Sequence, residues 1–326
     1  MRFRAHPASI RGSIAPVVTP FAADGALDLE SLRKLVAWQL DSGSQGISVG
    51  GSTGEPGAQT LEERAAVIRA AASEVADAVP FVPGTGSAKL DETLRLTTAA
   101  AEAGADAVLV ITPYYACPTQ EGLYQWYARV ATAHPGLPII IYNVPSRTAV
   151  NIAPATVASL FRDFENIVGL KETTRDFEHA SRVIQQAGPD ILVWSGIELL
   201  CLPLLALGGA GFVSAVANIA PAAIAEMYRR WEAGDQRGAC HIHYALHPLV
   251  DLVFVETNPG PVKWVLEQAG IITSGFVRLP LVEPAEESRA RIRQFLAAGS
   301  ELLARPVSDL IGRPSEVPAR APEVVA

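Results

Sequence analysis

The feature that most constrains this fold is an alternation of short apolar runs with longer amphipathic runs, repeated eight times over roughly 220 residues. The apolar runs predict strands at 14–18, 46–49, 81–83, 107–112, 139–142, 167–170, 191–194 and 211–214. Strands that are apolar on both faces are typical of parallel sheets covered by helices. Eight such units predict a (β/α)8 barrel, which usually takes about 250 residues.

Capping residues support the predicted helices between these strands. Asp28 is placed as an N-cap, and Gly43 ends the helix that follows it. Thr60 with Glu63 forms a capping box at the start of the next helix. A doubly wound sheet is the structural alternative. The count of eight, and the lack of a G-x-G-x-x-G sequence opening the first helix, favour the barrel.

The alternation stops after Trp231. Residues 1–234 are therefore predicted to form the barrel and to carry the active site. Residues 235–304 predict an appended subdomain of three helices, near 237–255, 258–269 and 285–303. Residues 305–326 hold four prolines and little periodicity, which predicts a mobile tail.

Composition excludes several classes of protein. Hydrophobic residues make up 49% and charged residues 18%, which indicates a large core rather than disorder. The net charge of −8 disfavours a nucleic-acid partner. Without a secretory leader or a run of 18 apolar residues, the sequence predicts a soluble, cytoplasmic protein that does not enter a membrane. The three irregularly spaced cysteines are interpreted as small buried hydrophobes in a reducing compartment.

Polar residues at the carboxyl ends of the predicted strands are the candidate site, because barrel active sites lie there. Lys171 directly follows the apolar run 167–170. An amine partly removed from water is partly neutral and can attack a carbonyl to form a Schiff base. The alternative is a lysine that pairs with Glu172 or reaches solvent. Tyr142 ends the preceding strand at the same height, where a phenol can shuttle protons or simply plug the barrel.

Two further groups suit an anionic substrate. Ser52 and Thr53 lie among glycines, so their hydroxyl and backbone N–H groups can converge on a carboxylate, or can form an ordinary glycine turn. Arg147 offers a guanidinium fork for a second carboxylate, or a surface ion pair. With the lysine and the tyrosine, these residues predict imine chemistry on an anionic keto acid.

Five ordered segments match the pattern of a known family. They are Gly-Ser-Thr-Gly-Glu at 51–55, Tyr-Tyr at 114–115, Tyr-Asn-Val-Pro at 142–145, Gly-Leu-Lys-Glu at 169–172 and Asn-Pro-Gly-Pro-Val-Lys-Trp at 258–264. Over roughly residues 12–282 the chain resembles the dihydrodipicolinate synthase and N-acetylneuraminate lyase family of class I, Schiff-base aldolases. Ser-Arg-Thr at 146–148 is similar to the dihydrodipicolinate synthase branch, because the neuraminate lyases lack that arginine.

The resemblance implies a role for each candidate residue in the chemical steps. Lys171 forms the imine with pyruvate. Tyr142, Thr53 and Tyr115 form a proton relay, in which Tyr115 reaches into the site of a neighbouring subunit. This cross-subunit contact implies at least a dimer, and the family implies a homotetramer built as a dimer of dimers.

The resemblance also implies how the substrates bind. Ser52 and Thr53 hold the carboxylate of pyruvate, the backbone of Val213 lies near pyruvate, and Arg147 binds the carboxylate of aspartate semialdehyde. The implied product is 4-hydroxy-tetrahydrodipicolinate, on the pathway to diaminopimelate and lysine. No metal or organic cofactor is implied.

Several positions depart from the family pattern. Ser52 replaces the usual first threonine of its loop but keeps the hydroxyl. Gly-Ile-Glu at 196–198 replaces Gly-Asp-Asp, and Arg-Thr-Ala at 147–149 replaces Arg-Thr-Gly. Both changes lie on the side of the second substrate. The alternative function is therefore another pyruvate-dependent lyase or dehydratase acting on a sugar acid or other 2-keto acid.

The positions that bind lysine in feedback-inhibited members of the family are also altered. Glu92 and Tyr114 match those members. The polar positions are replaced by Pro56, Gly57, Leu61 and Ala88. A bound lysine would lose most of its hydrogen-bond partners. The sequence therefore predicts weak or absent inhibition by lysine.

Two other patterns in the sequence resemble functional sites. Residues 50–54 fit the G-x-S-x-G elbow of serine hydrolases, but the next helix is delayed to Thr60, whereas an elbow serine leads straight into a helix. His241, His243 and His247 cluster without a carboxylate at a metal-binding spacing, which favours a packed or surface face over a metal site.

Overall fold

A parallel sheet of seven strands lies at the centre of the computed structural model, which describes residues 3–297. The strands are β1 (Gly12–Pro16), β2 (Gly46–Ser48), β3 (Val108–Ile111), β4 (Ile139–Asn143), β5 (Ile167–Glu172), β6 (Leu192–Ser195) and β7 (Gly211–Val213). Their order is β2-β1-β7-β6-β5-β4-β3, and every pairing is parallel.

The segment at 80–84 connects the two ends of this sheet. Single parallel bridges join it to β2 on one side and to β3 on the other. The amide of Val82 donates to Ile47 O at 2.8 Å, and the amide of Leu109 donates to Pro83 O at 2.9 Å. Proline has no amide hydrogen, and this short stretch contains two, which limits its ladder to isolated bridges. The predicted α/β barrel is confirmed, with this segment in place of a regular third strand.

Helices surround the sheet. They are α1 (Leu29–Asp41), α2 (Leu61–Val75), α3 (Leu90–Glu102), α4 (Gln120–Ala133), α5 (Pro145–Thr148), α6 (Pro154–Asp163), α7 (Phe177–Ala187), α8 (Cys201–Ala206), α9 (Pro221–Glu232), α10 (Gln236–Ala245), α11 (His247–Val253), α12 (Gly260–Gln268) and α13 (Glu286–Ala297). The predicted caps are confirmed: Asp28 accepts from Ser31 N at 2.9 Å, and Thr60 with Glu63 forms the capping box.

Side chains that point into the barrel form an apolar cluster of their own, separate from the layer between strands and helices. Near its centre lies a cavity of about 10 Å³, walled by one residue from each of the eight strand positions. These residues are Ile14, Ser48, Val82, Leu109, Ile140, Lys171, Trp194 and Val213. The ring supports closure of the barrel and places the predicted Schiff-base lysine on its axis.

The helices that follow the barrel differ from the prediction in one respect. The single helix expected at 237–255 is divided into α10 and α11, because Pro248 in the first turn of α11 cannot donate the amide hydrogen that a continuous helix needs. Helices α12 and α13 match the other two predicted helices as far as residue 297. Residues 298–304 and the predicted mobile tail at 305–326 lie outside the described residues.

The predicted boundary between barrel and appended subdomain, at 234–235, stays a prediction. One apolar cluster includes Ile224 and Met227 of α9 together with Ile242 of α10 and Leu249 of α11. The helices after residue 235 therefore pack into the same core as the outer layer of the barrel.

Two findings concern features expected from composition. No helix within residues 3–297 is long and apolar enough to cross a bilayer. Cys201 is buried, but Cys117 and Cys240 are exposed, so the interpretation of all three cysteines as buried hydrophobes is wrong. Cys117 lies in the loop after β3 and Cys240 on the solvent face of α10, neither of which the apolar core covers.

Candidate active site

Lys171 and Tyr142 lie side by side in neighbouring strands. The register pairs Tyr142 of β4 with Lys171 of β5, so the prediction that they stand at the same height is confirmed. The Nζ atom of Lys171 is 4.0 Å from the centroid of the Tyr142 ring. Their exposed fractions are 6% and 5%, so both groups are almost removed from water.

The surroundings of Tyr142 favour its ionised form. Burial alone raises the pKa of the phenol, but the charge of Lys171, a hydrogen bond with Ser52 and the charge of Arg147 together bring it below its ordinary value. The Ser52 Oγ and Tyr142 Oη atoms are 3.4 Å apart. A phenol whose pKa lies closer to neutrality exchanges protons more readily with a bound substrate. The pair can therefore combine a nucleophilic amine with a proton donor and acceptor.

Two glycines provide the space around these groups. A Cβ atom on Gly196 would lie 2.7 Å from Cε of Lys171 and would also meet the hydroxyl of Thr173. A Cβ atom on Gly169 would lie 2.8 Å from the ring of Trp194. The Cβ atom at position 169 would also clash with the backbone oxygen of Leu192, so this position requires glycine, whereas a Cβ atom at position 196 would displace the Lys171 and Thr173 side chains. The Thr173 hydroxyl consequently lies against the same small space as the lysine.

The glycine-rich loop after β2 is held in place from the C-terminal helices. Asn258 Nδ2 donates to Thr53 Oγ1 at 2.9 Å. The Glu55 carboxylate accepts from Lys263 Nζ at 2.6 Å and from the amide of Arg278 at 3.0 Å. The side chains of Lys263 and Glu55 are 0% and 1% exposed. Burial lowers the pKa of Lys263 to about 8, against the opposing effect of Glu55.

Glu172 does not pair with Lys171, so that alternative interpretation of the lysine is wrong. The two side chains leave β5 on opposite faces, as neighbours in a strand must. The Glu172 carboxylate lies 2.9 Å from His179 Nδ1 and accepts from Thr174 N at 2.7 Å and from Asn143 Nδ2 at 3.2 Å. Burial lowers the pKa of His179, but the bond and charge of Glu172 outweigh this and raise it above its ordinary value.

The remaining predicted site residues lie in three different settings. Val213 lines the ring around Lys171, and its role beside pyruvate stays a prediction. Arg147 lies on α5 and is exposed, with its charge acting on Tyr142. Tyr115 is 95% exposed and has φ of 75°, so a single chain does not bring it to the buried lysine. Its role across a subunit boundary stays a prediction.

Sequence reasoning missed the roles of three polar groups that the fold places near the site. Thr173 follows the lysine by two residues, and its hydroxyl has no hydrogen-bond partner among residues 3–297. Lys263 interrupts the apolar stretch at 261–266, a signal that could have indicated a buried cation. Glu198 was noted only as a departure from the family pattern, whereas its buried carboxylate accepts from Ser214 Oγ.

The two competing patterns do not form sites of their own. Ser52 begins a short 3-10 turn, Ser52–Gly54, and α2 starts only at Leu61, unlike a nucleophile elbow. The rings of His243 and His247 are in edge-to-face contact with centroids 5.2 Å apart. No group of three or more side chains suited to a metal occurs within residues 3–297.

Comparison with known proteins identifies close relatives of this chain. The model of the dihydrodipicolinate synthetase family matches residues 9–299. A 4-hydroxy-tetrahydrodipicolinate synthase from Thermus thermophilus is 48% identical over 285 residues, which are 87% of this chain and 95% of that protein.

Solved structures of dihydrodipicolinate synthases are also similar to this chain. A chloride-inhibited dihydrodipicolinate synthase from Acinetobacter baumannii in complex with pyruvate aligns with a TM-score of 0.84 and 38% identity, over 92% of this chain and 99% of that one. A monomeric dihydrodipicolinate synthase variant aligns with a TM-score of 0.84 and 39% identity, over 88% and 96% of the two chains.

Proposed function

The chain belongs to the dihydrodipicolinate synthetase family, and we propose that the site around Lys171 performs the reaction of its 4-hydroxy-tetrahydrodipicolinate synthase relatives. The chain is a lyase that condenses pyruvate with aspartate semialdehyde, in the biosynthesis of diaminopimelate and lysine in the cytoplasm. The observation that carries this proposal is the buried lysine amine 4.0 Å from the centroid of the Tyr142 ring, on the axis of the barrel.

The reaction begins with attack of Lys171 Nζ on the ketone carbon of pyruvate. The resulting carbinolamine loses water to give a protonated imine, which draws electrons from the neighbouring methyl group. Loss of a methyl proton gives an enamine, whose carbon attacks the aldehyde of the second substrate. The aldehyde oxygen becomes the 4-hydroxyl group. The amine of that substrate then attacks the imine carbon and releases Lys171, so that one water leaves overall.

Tyr142 is the proton carrier for these steps. Carbinolamine formation and dehydration need a group that first gives and then accepts a proton beside the lysine. The lowered pKa of Tyr142 and its contact with Ser52 suit this exchange. Thr53 extends the same line of hydroxyl groups, and its bond from Asn258 fixes its orientation.

Binding of the substrates depends on local positive charge, because the whole chain carries −8 and both substrates are anions. Backbone and hydroxyl donors of Ser52 and Thr53 bind the carboxylate of pyruvate beside Val213. The exposed fork of Arg147 binds the carboxylate of aspartate semialdehyde at the mouth of the barrel. The reaction activates its ketone as an imine, and for this reason we assign it no metal and no organic cofactor.

Tyr115 joins the relay from a second copy of the chain. Its backbone has φ of 75°, a conformation that is unfavourable for a tyrosine, and its ring is almost fully exposed in one chain. Contact with a partner's site would cover the ring. We assign a homotetramer, built from two such dimers, and analytical ultracentrifugation of active enzyme tests it. A fully active monomer would exclude both the tetramer and this role of Tyr115.

Borohydride trapping tests the central step. Pyruvate with borohydride should leave one reduced adduct on Lys171, located by peptide mass spectrometry. Lys171→Ala should form no adduct and lose activity, while Lys89→Ala, which removes an exposed lysine on the N-terminal side of α3, should behave as wild type. A coupled assay of pyruvate with a panel of aldehydes, aspartate semialdehyde first, then identifies the second substrate. A Lys171→Ala enzyme with full activity would refute the proposal.

A further inference from the structure

Glu198 is a buried carboxyl group at the active-site end of the barrel. It opens the 3-10 turn Glu198–Leu200 that follows β6, and the residue is only 9% exposed. One carboxylate oxygen accepts from the amide of Ala215 at 2.7 Å, and the other accepts from the hydroxyl of Ser214. A buried carboxylate with two such donors is a fixed part of the structure rather than a surface charge.

These bonds join the end of β6 to the end of β7. Strand β7 ends at Val213, which lines the ring around Lys171, and Ser214 and Ala215 follow it directly. The position of the backbone next to the lysine therefore depends on the hydrogen bonds of Glu198 to Ser214 and Ala215. Loss of these bonds would allow the end of β7 to move away from the site.

The Glu198 carboxyl group is enclosed by the protein. Burial raises its pKa, while its hydrogen bonds and the positive charge of Lys171 oppose this rise.

We propose that Glu198 is a positioning residue for the Schiff base, which fixes the end of β7 beside Lys171. This inference rests on the proposed function, since it requires that Lys171 forms an imine. Glu198 neither gives nor takes a proton in this role. It acts through its bonds to Ser214 and Ala215.

The proposal predicts a defect in imine formation rather than a general loss of stability. Glu198→Gln keeps the shape of the side chain but removes the charge and replaces one acceptor oxygen by a donor. We expect the pyruvate concentration that gives half-maximal borohydride trapping to rise about tenfold or more, since misplaced catalytic groups commonly cost this much. Ser214→Ala keeps the charge and removes one donor, and should raise that concentration about threefold.

Asp106→Asn is the matched control. Asp106 is also a buried carboxylate that accepts backbone amides, from Phe81 and Phe3 at 3.0 Å each, but it precedes β3 at the opposite end of the barrel. The Asp106→Asn substitution removes one negative charge and one acceptor oxygen, as Glu198→Gln does. Its half-maximal pyruvate concentration should stay within about twofold of wild type, even where its urea midpoint falls as far as that of Glu198→Gln.

The outcomes distinguish a failure of the proposed function from a failure of the role proposed for Glu198. If wild-type enzyme is not trapped by pyruvate, the proposed function fails. If wild type is trapped and Glu198→Gln is trapped at the same pyruvate concentration, only the role of Glu198 fails. A tenfold shift in Glu198→Gln that Asp106→Asn shares also overturns it. Should Glu198→Gln not fold, Ser214→Ala decides: a threefold shift supports the proposal and an unchanged value refutes it.

Discussion

Replacing Lys263 by methionine tests how far the loop that carries Ser52 and Thr53 depends on one buried ion pair. Lys263 Nζ donates to Glu55 and to Phe276 O at 2.6 and 2.7 Å, and it lies 4.2 Å from the centroid of the Phe21 ring. Methionine keeps an unbranched side chain of similar length and removes the ammonium group. Glu55 would keep the amide of Arg278 but lose the buried cation opposite it.

The expected loss is large. Removal of one partner from a buried ion pair costs about 3–5 kcal/mol, because the other charge stays buried without compensation. The free energy of unfolding of a natural protein is only about 5–15 kcal/mol. At about 2.1 cal/mol/K of unfolding entropy per residue, the same loss lowers the Tm of a chain of this size by roughly 4–7 °C. This cost reflects the uncompensated charge left on Glu55, and it is not the net contribution of the intact pair to stability.

The double variant Glu55→Gln/Lys263→Met isolates the cause. It leaves neither charge unpaired, so it should recover a large part of the stability that Lys263→Met loses. Urea unfolding of the four proteins at one concentration, without pyruvate, completes the cycle, since a bound ligand would stabilise the folded state. Lys89→Met serves as the control, because Lys89 is an exposed lysine whose loss should change little.

Two results would refute this reasoning. The first is a loss below about 1 kcal/mol in Lys263→Met, the range of an exposed pair. The second is a double variant that is no more stable than the single one, which would mean that the methionine itself, and not the unpaired carboxylate, disturbs the core.

Three further predictions follow from the site and its surroundings. Tyr142→Phe should lower kcat about a hundredfold or more by removing the proton carrier, while borohydride trapping with pyruvate reaches the wild-type extent; unchanged turnover would exclude the assigned role. The pairing with Glu172 raises the pKa of His179 above its ordinary value of 6.5. The protonated histidine therefore stabilises the fold below pH 6.5, and this contribution is lost as pH rises through the folded pKa. In His179→Gln, the unfolding free energy should no longer fall with rising pH in this range. A variant that keeps the wild-type slope would contradict the stabilising role of protonated His179. Finally, L-lysine should inhibit weakly or not at all, because the Glu92 carboxylate already accepts from Ser87 Oγ at 2.6 Å; inhibition at micromolar lysine in a steady-state assay would show otherwise.

The order of the strands and helices, and the matching positions of Lys171 and Tyr142 at the ends of their strands, could be predicted from the sequence. Both depend on the local spacing of apolar residues. Apolar runs and caps specify where strands and helices start, and the parallel register then places the ends of neighbouring strands at one edge. Lys171 and Tyr142 follow from this rule alone. The family resemblance added the residues around them, among which Val213 lines the same ring as Lys171.

The pattern of apolar residues did not predict the structure correctly where a proline lies within an otherwise regular run. The stretch at 80–84 has the apolar character of a strand, but its prolines cannot supply a full ladder of hydrogen bonds. Pro248 divides a helix whose apolar spacing runs on without interruption. The spacing of apolar residues indicates which face of a helix or strand is buried. It does not reveal that a proline lacks the amide hydrogen needed for a regular hydrogen bond.

The sequence by itself determined the fold class, the strand that carries the proposed nucleophile and the chemistry that a buried lysine beside a phenol can perform. Only the tertiary structure decided which buried charges meet. Glu55 bonds Lys263 across 208 positions of the chain, and Glu198 bonds the residues after β7 rather than its own neighbours. The physical reason is that a charge in the core must find a partner in space, and closure of the barrel determines which residues are close enough to serve.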